Sequence, residues 1–221
     1  MNTVSKQLPS ANHVARGLLA LALGGAAGCQ QAVADTTSRG QLMFEYCRPC
    51  HGADGGGNVK FAAPPIAGLP AWYVEAQVKK FRAGVRGAHF DDVEGQRMRP
   101  MAMTLHTEPD ITAVAGYISK LPKTKPIHSN LGGDASKGQA AFMTCMACHG
   151  PTGAGNEALM APPIAGQADW YVFSQLNKFK KGIRGANPAD ASGATMRPMA
   201  MTLADDAAMK DVAAYVATMP R

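Results

Sequence analysis

The second half of this 221-residue chain repeats the first half at a constant offset of 98 residues. Across the matched segments 47–105 and 145–203, 33 of 59 positions are identical and no gap is needed. Two copies are too few to build a stacked repeat array, which needs at least three. The repeat therefore predicts two tandem domains, over 35–124 and 125–221, with the polar, Gly- and Pro-containing stretch 123–136 linking them.

The first 34 residues have the features of an export signal. An apolar run at 17–27 follows two basic residues and is too short and too rich in glycine to span a bilayer. Residues 32–34, Ala-Val-Ala, match a signal-peptidase site. We therefore expect residues 1–34 to be a signal peptide that delivers the chain to the periplasm. Cys29 keeps an alternative open, because a lipoprotein signal also ends in small residues before a cysteine, and lipidation there would anchor the chain to a membrane.

Helical patterns occur at matched places in the two halves. They combine serine or acidic residues at their starts with apolar residues at helical spacing and a Gly or Pro at their ends. No stretch shows the sustained alternation of a strand, so an all-α fold is expected. The predicted helical segments are 38–47, 71–87 and 108–122 in the first half, and 136–145, 169–185 and 205–220 in the second.

Each half contains a Cys-x-x-Cys-His motif, for which three kinds of chemistry compete. A dithiol oxidoreductase places Cys-x-x-Cys beside a strand–helix–strand pattern, which is missing here. A zinc site needs four ligands, and neither alternative explains why a histidine follows the second cysteine in both copies. Covalent attachment of haem c does explain it, because the thiols add to the haem vinyl groups and the adjacent imidazole reaches the iron. The motif residues are Cys47, Cys50, His51, Cys145, Cys148 and His149.

Methionines are the repeated candidates for the sixth iron ligand. His89 and His106 are replaced by Asn187 and Ala204 in the second half, so neither histidine can serve a role shared by both sites. The run Met-Arg-Pro-Met-Ala-Met, in contrast, occurs at 98–103 and again at 196–201. A thioether ligand raises the haem potential and occupies the position that oxygen or peroxide would need. Only one methionine per haem can bind, and the others have the ordinary role of packing.

With these motifs, each half resembles a class I cytochrome c domain, and the tandem is similar to the di-haem cytochrome c4 family. The resemblance covers nearly all of the mature chain. It implies a helical fold around each haem, in which a Gly and an aromatic of the first helix cross an aromatic of the last. The matching residues are Gly40, Phe44 and Tyr117 in the first half and Gly138, Phe142 and Tyr215 in the second.

The same resemblance implies further roles at the iron. A proline carbonyl accepts the ring N–H of the iron-bound histidine, and Pro64 and Pro162 match that proline. The axial methionine matches Met98 in the first half and Met196 in the second. Met101 and Met199, three residues later, remain the alternative pair.

The resemblance also implies an electron carrier rather than an enzyme. The expected partners are redox proteins, namely a quinol-oxidising complex or a dehydrogenase as donor and a terminal oxidase as acceptor. The alternatives are a cytochrome subunit of a larger dehydrogenase and a di-haem peroxidase. The chain has no flavin or nicotinamide motif, and its scattered positive charge indicates no nucleic-acid partner but allows peripheral contact with an anionic membrane.

Two further hypotheses concern repeated basic and aromatic residues. Haem propionates favour Arg or indole N–H partners, so at least one of the recurring pairs is a candidate to bind them. The basic segments 79–86 and 177–184 are candidates for docking a partner, although a solvated helix face is the more ordinary interpretation. The recurring pairs are Trp72 with Trp170, Arg86 with Arg184, and Arg99 with Arg197.

Overall fold

The computed structural model describes residues 36–221, so the predicted signal peptide and Cys29 lie outside the described residues. Residues 39–221 form one compact unit, and the described part of the preceding unit, 36–38, is helical. Apart from isolated bridges between Asn58 and Ala63 and between Asn156 and Ala161, the described chain has no strand. This confirms the all-α prediction.

The helices follow the same order in both halves. In the first half they are α1 (36–44), α2 (Arg48–His51), α3 (Ala71–Arg82), α4 (Val93–Met103) and α5 (Glu108–Lys120). In the second half they are α6 (Ala135–Phe142), α7 (Met146–His149), α8 (Asp169–Lys180), α9 (Ala191–Met201) and α10 (Asp206–Thr218). Short 3-10 turns cover Val59–Phe61 and Glu157–Leu159. Over residues 36–221, none of the helices has both the length and the apolar character required to cross a bilayer.

Side-chain caps fix the starts of α4, α5, α6, α9 and α10, whereas α2, α3, α7 and α8 begin without one. Thr107 and Asp110 form a reciprocal capping box at the start of α5, which satisfies backbone N–H groups that have no partner within the helix. Asp92 caps α4 by accepting from the Gly95 N–H at 3.2 Å, and Asp190 caps α9 in the same way. The two aspartates occupy matched positions of the repeat, so both halves begin this helix at the same place.

A glycine lets the first and last helices of each half cross closely. Gly138 of α6 lies against the backbone of Asp211 in α10, where an added Cβ would meet the carbonyl oxygen and also the Tyr215 Cβ. Gly40 of α1 has the corresponding contact with α5. Beside each crossing an aromatic pair packs, with ring centroids 5.3 Å apart for Phe44 and Tyr117, and 5.4 Å apart in the second half. Only glycine allows the two backbones this approach.

Each half has its own apolar core, built by the helices around the Cys-x-x-Cys-His turn. The first core centres on Phe44 and Ile111, and the second on Phe142 and Met209, all at most 2% exposed. Met98 packs against the first core and Met196 against the second. The Met98 and Met196 side chains and the two cysteine turns therefore pack against the same apolar clusters.

Residues 122–134 have no secondary structure and lie along the second half. The Ser129 N–H donates to an Asp169 carboxylate oxygen at 2.8 Å, and the Trp170 indole donates to the Ile127 carbonyl at 3.1 Å. These bonds attach the connecting segment to the start of α8 rather than leaving it as a free tether.

The two halves contact each other through equivalent residues. The Lys80 ammonium lies 2.5 Å from Asp190 Oδ1, and the Lys178 ammonium lies 2.5 Å from Asp92 Oδ1. Because Lys178 and Asp190 are the repeats of Lys80 and Asp92, the same ion pair is made in both directions. Lys178 also meets Glu94 Oε2 at 2.5 Å, whereas Lys80 meets the hydroxyl of Ser192, the residue that replaces Glu94 in the second half. The contact is thus nearly, but not fully, two-fold.

The helix crossing gives a first testable prediction. We expect Gly138→Ala to lower the free energy of unfolding of the haem-loaded protein by about 1–3 kcal/mol, because the new methyl group overpacks a backbone contact. Gly116→Ala is the matched control, since Gly116 lies inside α5 with open space around its Cα and the second half already has Ala214 at this place. The control should gain about 0.5–1 kcal/mol from helix propensity. Denaturant unfolding followed by circular dichroism measures both, and equal effects would contradict the close crossing.

The interdomain ion pairs predict a dependence on acid. Burial alone would raise the pKa of Asp190, but the hydrogen bond and charge of Lys80 outweigh it, so the pKa is lowered from its usual 3.8. A carboxyl with a lowered folded-state pKa contributes stability that is complete above the unfolded value and is lost as pH falls through the folded value. We therefore expect this contribution to be constant above about pH 5 and to disappear only below pH 3.8.

Lys80→Met tests this assignment, because it leaves the Asp190 carboxyl buried without its partner. The variant should lose about 3–5 kcal/mol of stability at neutral pH, and its acid-unfolding midpoint should move to higher pH. Lys79→Met is the control, since the Lys79 side chain is half exposed and pairs with the exposed Glu108. The same acid midpoint in both variants would show that the Lys80 pair does not hold the halves together.

Candidate functional site

The Cys-x-x-Cys-His motif forms one turn of helix at the wall of a cavity. Cys47 precedes α2, and Cys50 and His51 lie three and four residues further on, which places all three side chains on one side of the turn. The His51 N–H donates to the Cys47 carbonyl at 2.9 Å and closes the turn. The second motif repeats this arrangement in α7.

Two of the three chemistries considered for the motif do not match this geometry. Within residues 36–221, no group of three or more His, Cys, Asp or Glu side chains is arranged to hold a metal ion, which disfavours a zinc site. Burial, reinforced by the neighbouring Cys50, raises the pKa of the free Cys47 thiol to about 12. A dithiol oxidoreductase needs the opposite, a thiol with a lowered pKa. Thioether formation remains, since it consumes both thiols.

The imidazole of each motif is buried and held from behind by a proline. His51 Nδ1 lies 2.8 Å from the Pro64 carbonyl oxygen, and His149 Nδ1 lies 2.8 Å from the Pro162 carbonyl oxygen. Burial lowers the pKa of both histidines, against the opposing effect of the proline carbonyls. The neutral ring that donates from Nδ1 keeps a lone pair on Nε2, which is the atom available to iron.

The methionines of the repeated run differ in burial. Met98 and Met196 are half-buried and pack against the two apolar cores. Met101 and Met199 line the same cavity but are 36% and 37% exposed. The structure therefore brings the first methionine of each run closest to the interior, while the second lies at the cavity rim.

The cavity extends through both halves and is lined mostly by apolar side chains. Both cysteine turns, both prolines and the methionines at 98 and 196 border it. Where the halves meet, its wall becomes polar and includes Tyr73, Tyr171, Gln77 and Gln175. The cavity thus joins two apolar chambers, one per half, through a polar middle section.

Two buried arginines occupy that middle section. Arg86 donates to the Gln77 amide oxygen at 2.7 Å and to the Gln175 amide oxygen at 3.2 Å, and Arg184 makes the same two bonds in the reverse order. Burial, with the charge of Arg184, lowers the pKa of Arg86. The same two arginines lower the pKa of Tyr73, although its burial acts in the opposite direction.

Within the described residues, neither guanidinium group forms an ion pair, because the nearby carboxylates of Asp92 and Asp190 are bound by Lys178 and Lys80. Within the described chain, the buried Nε atoms of Arg86 and Arg184 have no hydrogen-bond acceptor. A buried cation with an unpaired donor is costly unless an anion joins it. The two carboxylate-bearing edges of two haem c groups would supply such anions, so the residues present fit the group that the cysteine motifs imply.

The other recurring pairs have different surroundings. Neither tryptophan lines the cavity, and the Trp170 indole is already bonded to the connecting segment. Arg99 is exposed, with its guanidinium over Gly84, whereas Arg197 is half-buried and its Nε also lacks a hydrogen-bond acceptor. Of the three pairs, only Arg86 and Arg184 border the cavity.

Most charges of the two basic segments are buried or paired, which disfavours the docking hypothesis, although Lys181 is exposed. In the first, Lys80 binds Asp190, Arg86 is buried, and Lys79 and Arg82 both pair with Glu108. In the second, Lys178 and Arg184 are buried and Lys180 donates to the carbonyls of Leu203 and Ala204. Most of these charges instead form ion pairs between the two halves or bind groups at the start of α5 and just after α9.

Sequence reasoning did not identify the polar groups between the halves. Tyr73, Gln77 and Asp92 contribute to this region, and each recurs exactly 98 residues later. Their identity in both copies was the available signal. This signal was not sufficient, because tyrosine, glutamine and aspartate are equally common on a helix face exposed to solvent.

A family model for cytochrome c matches the chain twice, over residues 37–122 and 135–220. A protein named thiosulfate dehydrogenase electron acceptor, from Stutzerimonas stutzeri, is 33% identical over 185 residues, which is 78% of each chain. Cytochrome c4 of Azotobacter vinelandii is 30% identical over 203 residues, covering 86% of this chain and 90% of that one.

Two solved structures show the same fold. Reduced cytochrome c4 from Pseudomonas stutzeri has a TM-score of 0.68 at 25% identity, covering 83% of this chain and 98% of that one. A thiosulfate dehydrogenase from Marichromatium purpuratum has a TM-score of 0.68 at 34% identity, covering 83% of this chain, which spans only 40% of that longer chain. With two matches to the family model, two attachment motifs and relatives of this kind, the chain belongs to the cytochrome c family as a tandem, di-haem member similar to cytochrome c4, and it carries two covalently bound haem c groups.

Proposed function

We propose that this chain is a periplasmic electron carrier and not itself an enzyme. The observation that carries the proposal is the pairing, in each apolar chamber, of one buried imidazole with one half-buried thioether. Bound haem c supplies one-electron Fe(III)/Fe(II) chemistry. If His51 with Met98 and His149 with Met196 held the two irons, a substrate would find no open coordination position there.

The chain's residues have distinct roles in this function. Cys47 and Cys50, and their repeats Cys145 and Cys148, anchor the cofactors as thioethers. His51 and His149 bind iron through Nε2, because the carbonyls of Pro64 and Pro162 hold Nδ1 and fix the ring. Met98 and Met196, which border the same cavity, would supply thioether ligands, and the apolar walls would exclude water. Arg86 and Arg184 balance negative charge in the middle section between the two chambers.

The proposed donor is a dehydrogenase or a quinol-oxidising complex, and the proposed acceptor is a terminal oxidase. The name of the Stutzerimonas stutzeri relative supports a thiosulfate dehydrogenase as one such donor. A single chain with two carriers can accept electrons at one half and release them at the other. Residues 39–221 form one compact unit, which keeps the two chambers at a fixed separation.

A second candidate function is a cytochrome portion serving a larger dehydrogenase assembly. The Marichromatium purpuratum dehydrogenase favours it, because this chain matches 40% of a longer chain with that name. In that case the protein would copurify with a catalytic subunit. A di-haem peroxidase is disfavoured, because that chemistry needs an open or displaceable sixth position and both halves present a methionine.

The proposed iron ligands can be tested with matched methionine variants. Met98→Ala should remove about half of the far-red sulfur-to-iron absorption of the oxidised protein and lower the potential of one haem, because one of two thioether ligands is lost. Met101→Ala, at the exposed rim, should leave both unchanged. Visible spectroscopy with a redox titration measures both, and the reverse outcome would assign the ligand to Met101 and Met199.

The carrier function can be tested by anaerobic reduction of the oxidised protein. Thiosulfate alone should leave the haems oxidised, whereas catalytic amounts of a separate thiosulfate dehydrogenase should reduce both. Carbon monoxide should bind the reduced wild-type protein slowly or not at all, and should bind the Met98→Ala variant rapidly at one haem. Reduction by thiosulfate alone, or rapid carbon monoxide binding to the wild type, would instead indicate an enzyme.

A further inference from the structure

The two chambers open to solvent through mouths that differ in charge. The N-mouth is formed by Tyr46, Arg48, Lys60, Phe61, Arg97 and Met101, and the C-mouth by the residues 98 positions later, Thr144, Met146, Ala158, Leu159, Thr195 and Met199. In each mouth, four of the six border the cavity, and the other two adjoin residues that border it, namely the first motif cysteine and the residue at 61 or 159. The mouths are therefore equivalent in position, and their differences reflect side chains alone.

The N-mouth is basic and aromatic. Arg48, Lys60 and Arg97 are all exposed. The Arg97 guanidinium donates to the Phe61 carbonyl at 3.3 Å, which holds its charge against the rim. Glu45 pairs with Arg48 at 2.5 Å, so the charge of Arg48 is balanced. Among the described residues, neither Lys60 nor Arg97 forms an ion pair.

The C-mouth has lost every one of these charges. Met146, Ala158 and Thr195 replace Arg48, Lys60 and Arg97, and Glu157 adds a negative charge where the first half has Val59. Its exposed rim is apolar, with Leu159, Met160 and Met199. An anionic surface that approaches the two mouths would thus be attracted to the first and not to the second.

Net charge does not explain this contrast, because the two halves are almost equally basic. Residues 39–124 contain eleven basic and eight acidic residues, and residues 125–221 contain nine and seven. Charges separated by more than about 10 Å are largely screened at ordinary ionic strength, so the placement of charge at the rim decides which mouth a partner meets. Charges at the edge of a contact steer association and set its orientation.

We propose that the N-mouth is the docking surface for an acidic redox protein, which exchanges electrons with the first haem. The proposal deepens the carrier function and rests on it. Complementary charge would orient the partner, while Tyr46, Phe61 and Met101 provide the apolar contact at the centre. The C-mouth lacks these charges and does not share this partner.

Nuclear magnetic resonance titration tests this docking surface. The probe is oxidised flavodoxin, a small acidic redox protein, added to the reduced, 15N-labelled, haem-loaded chain at low salt. Amide shifts should appear around 46–61 and 97–101, without matching shifts around 144–159 and 195–199. The affinity for flavodoxin, obtained from these shifts, should fall steeply as the salt concentration rises. Equal shifts at both mouths, or shifts centred on Lys180 and Lys181, would overturn the proposal.

In two variants, the three positions of one mouth at which the charge differs receive the residues that stand at the matching positions of the other mouth. The combined Arg48→Met, Lys60→Ala and Arg97→Thr variant should bind flavodoxin about tenfold more weakly, since three charges of a steering surface are lost. The combined Met146→Arg, Ala158→Lys and Thr195→Arg variant should gain a second binding surface at the C-mouth. Unchanged affinity in the first variant would refute the docking surface.

A separate readout distinguishes this proposal from the carrier function. Both variants should retain the wild-type visible spectrum and full reduction by dithionite, which shows that the haem sites are intact. If the wild-type haems cycle normally but flavodoxin binds without preference, the docking proposal fails and the carrier function stands. If the wild-type haems do not cycle reversibly, the carrier function itself fails.

Discussion

The hydrogen bond between a buried imidazole and a proline carbonyl is the constraint from which each haem site is built. A histidine placed at the end of a one-turn helix has a ring that can rotate, and burial alone favours its neutral form without fixing its direction. The carbonyl 2.8 Å from Nδ1 supplies that direction, in His51 and again in His149. To present it, the chain must leave α2, make a glycine-containing loop and return an extended Ala-Pro-Pro segment beside the motif. The loop glycine at 57 has a φ of 85° and lies against that segment, so a side chain there would disturb the carbonyl itself.

The contact between the halves uses charge in a way that burial normally discourages. Removing a lysine and an aspartate from water costs several kcal/mol for each ion, and a buried pair regains this only with good geometry and further hydrogen bonds. Here Asp92 and Asp190 also cap helices, and each lysine has a second oxygen partner. The aspartates thus stabilise a helix start within each domain and an ion pair between the domains. Such pairs specify one mutual orientation more sharply than an apolar contact of the same size would.

The sequence was sufficient to predict the parts of the fold that depend on local pattern. Helical spacing and capping residues indicated three helices in each half but not α4 and α9, which carry the Met-Arg-Pro-Met-Ala-Met run, and the repeated Cys-x-x-Cys-His motifs indicated two haem c groups. The crossing at Gly40 and Gly138 was expected from resemblance, and the structure shows its steric cause. The roles of individual iron ligands remain proposals, supported by the burial of Met98 and Met196.

The contacts between domains could not be predicted from one sequence. Lys80 and Arg86 have the spacing of an ordinary solvated helix, and nothing local marks their partners more than 85 residues away. The sequence therefore allows either a docking surface or a solvated helix face for the two basic segments, whereas the structure uses most of their charges internally. Which residues of the two domains pair depends on how the whole domains are arranged, and the hydrophobic periodicity of a single helix carries no information about that arrangement.

The reciprocal pairing of Lys80 with Asp190 and Lys178 with Asp92 has the form of a homodimer interface, in which each copy offers the same patch to the other. Duplication within one polypeptide has enclosed such a contact in a single molecule. Its formation is then intramolecular and independent of dilution. The two halves differ at Glu94 and Ser192 and around their openings, whereas the lysines and aspartates that join them are the same in both.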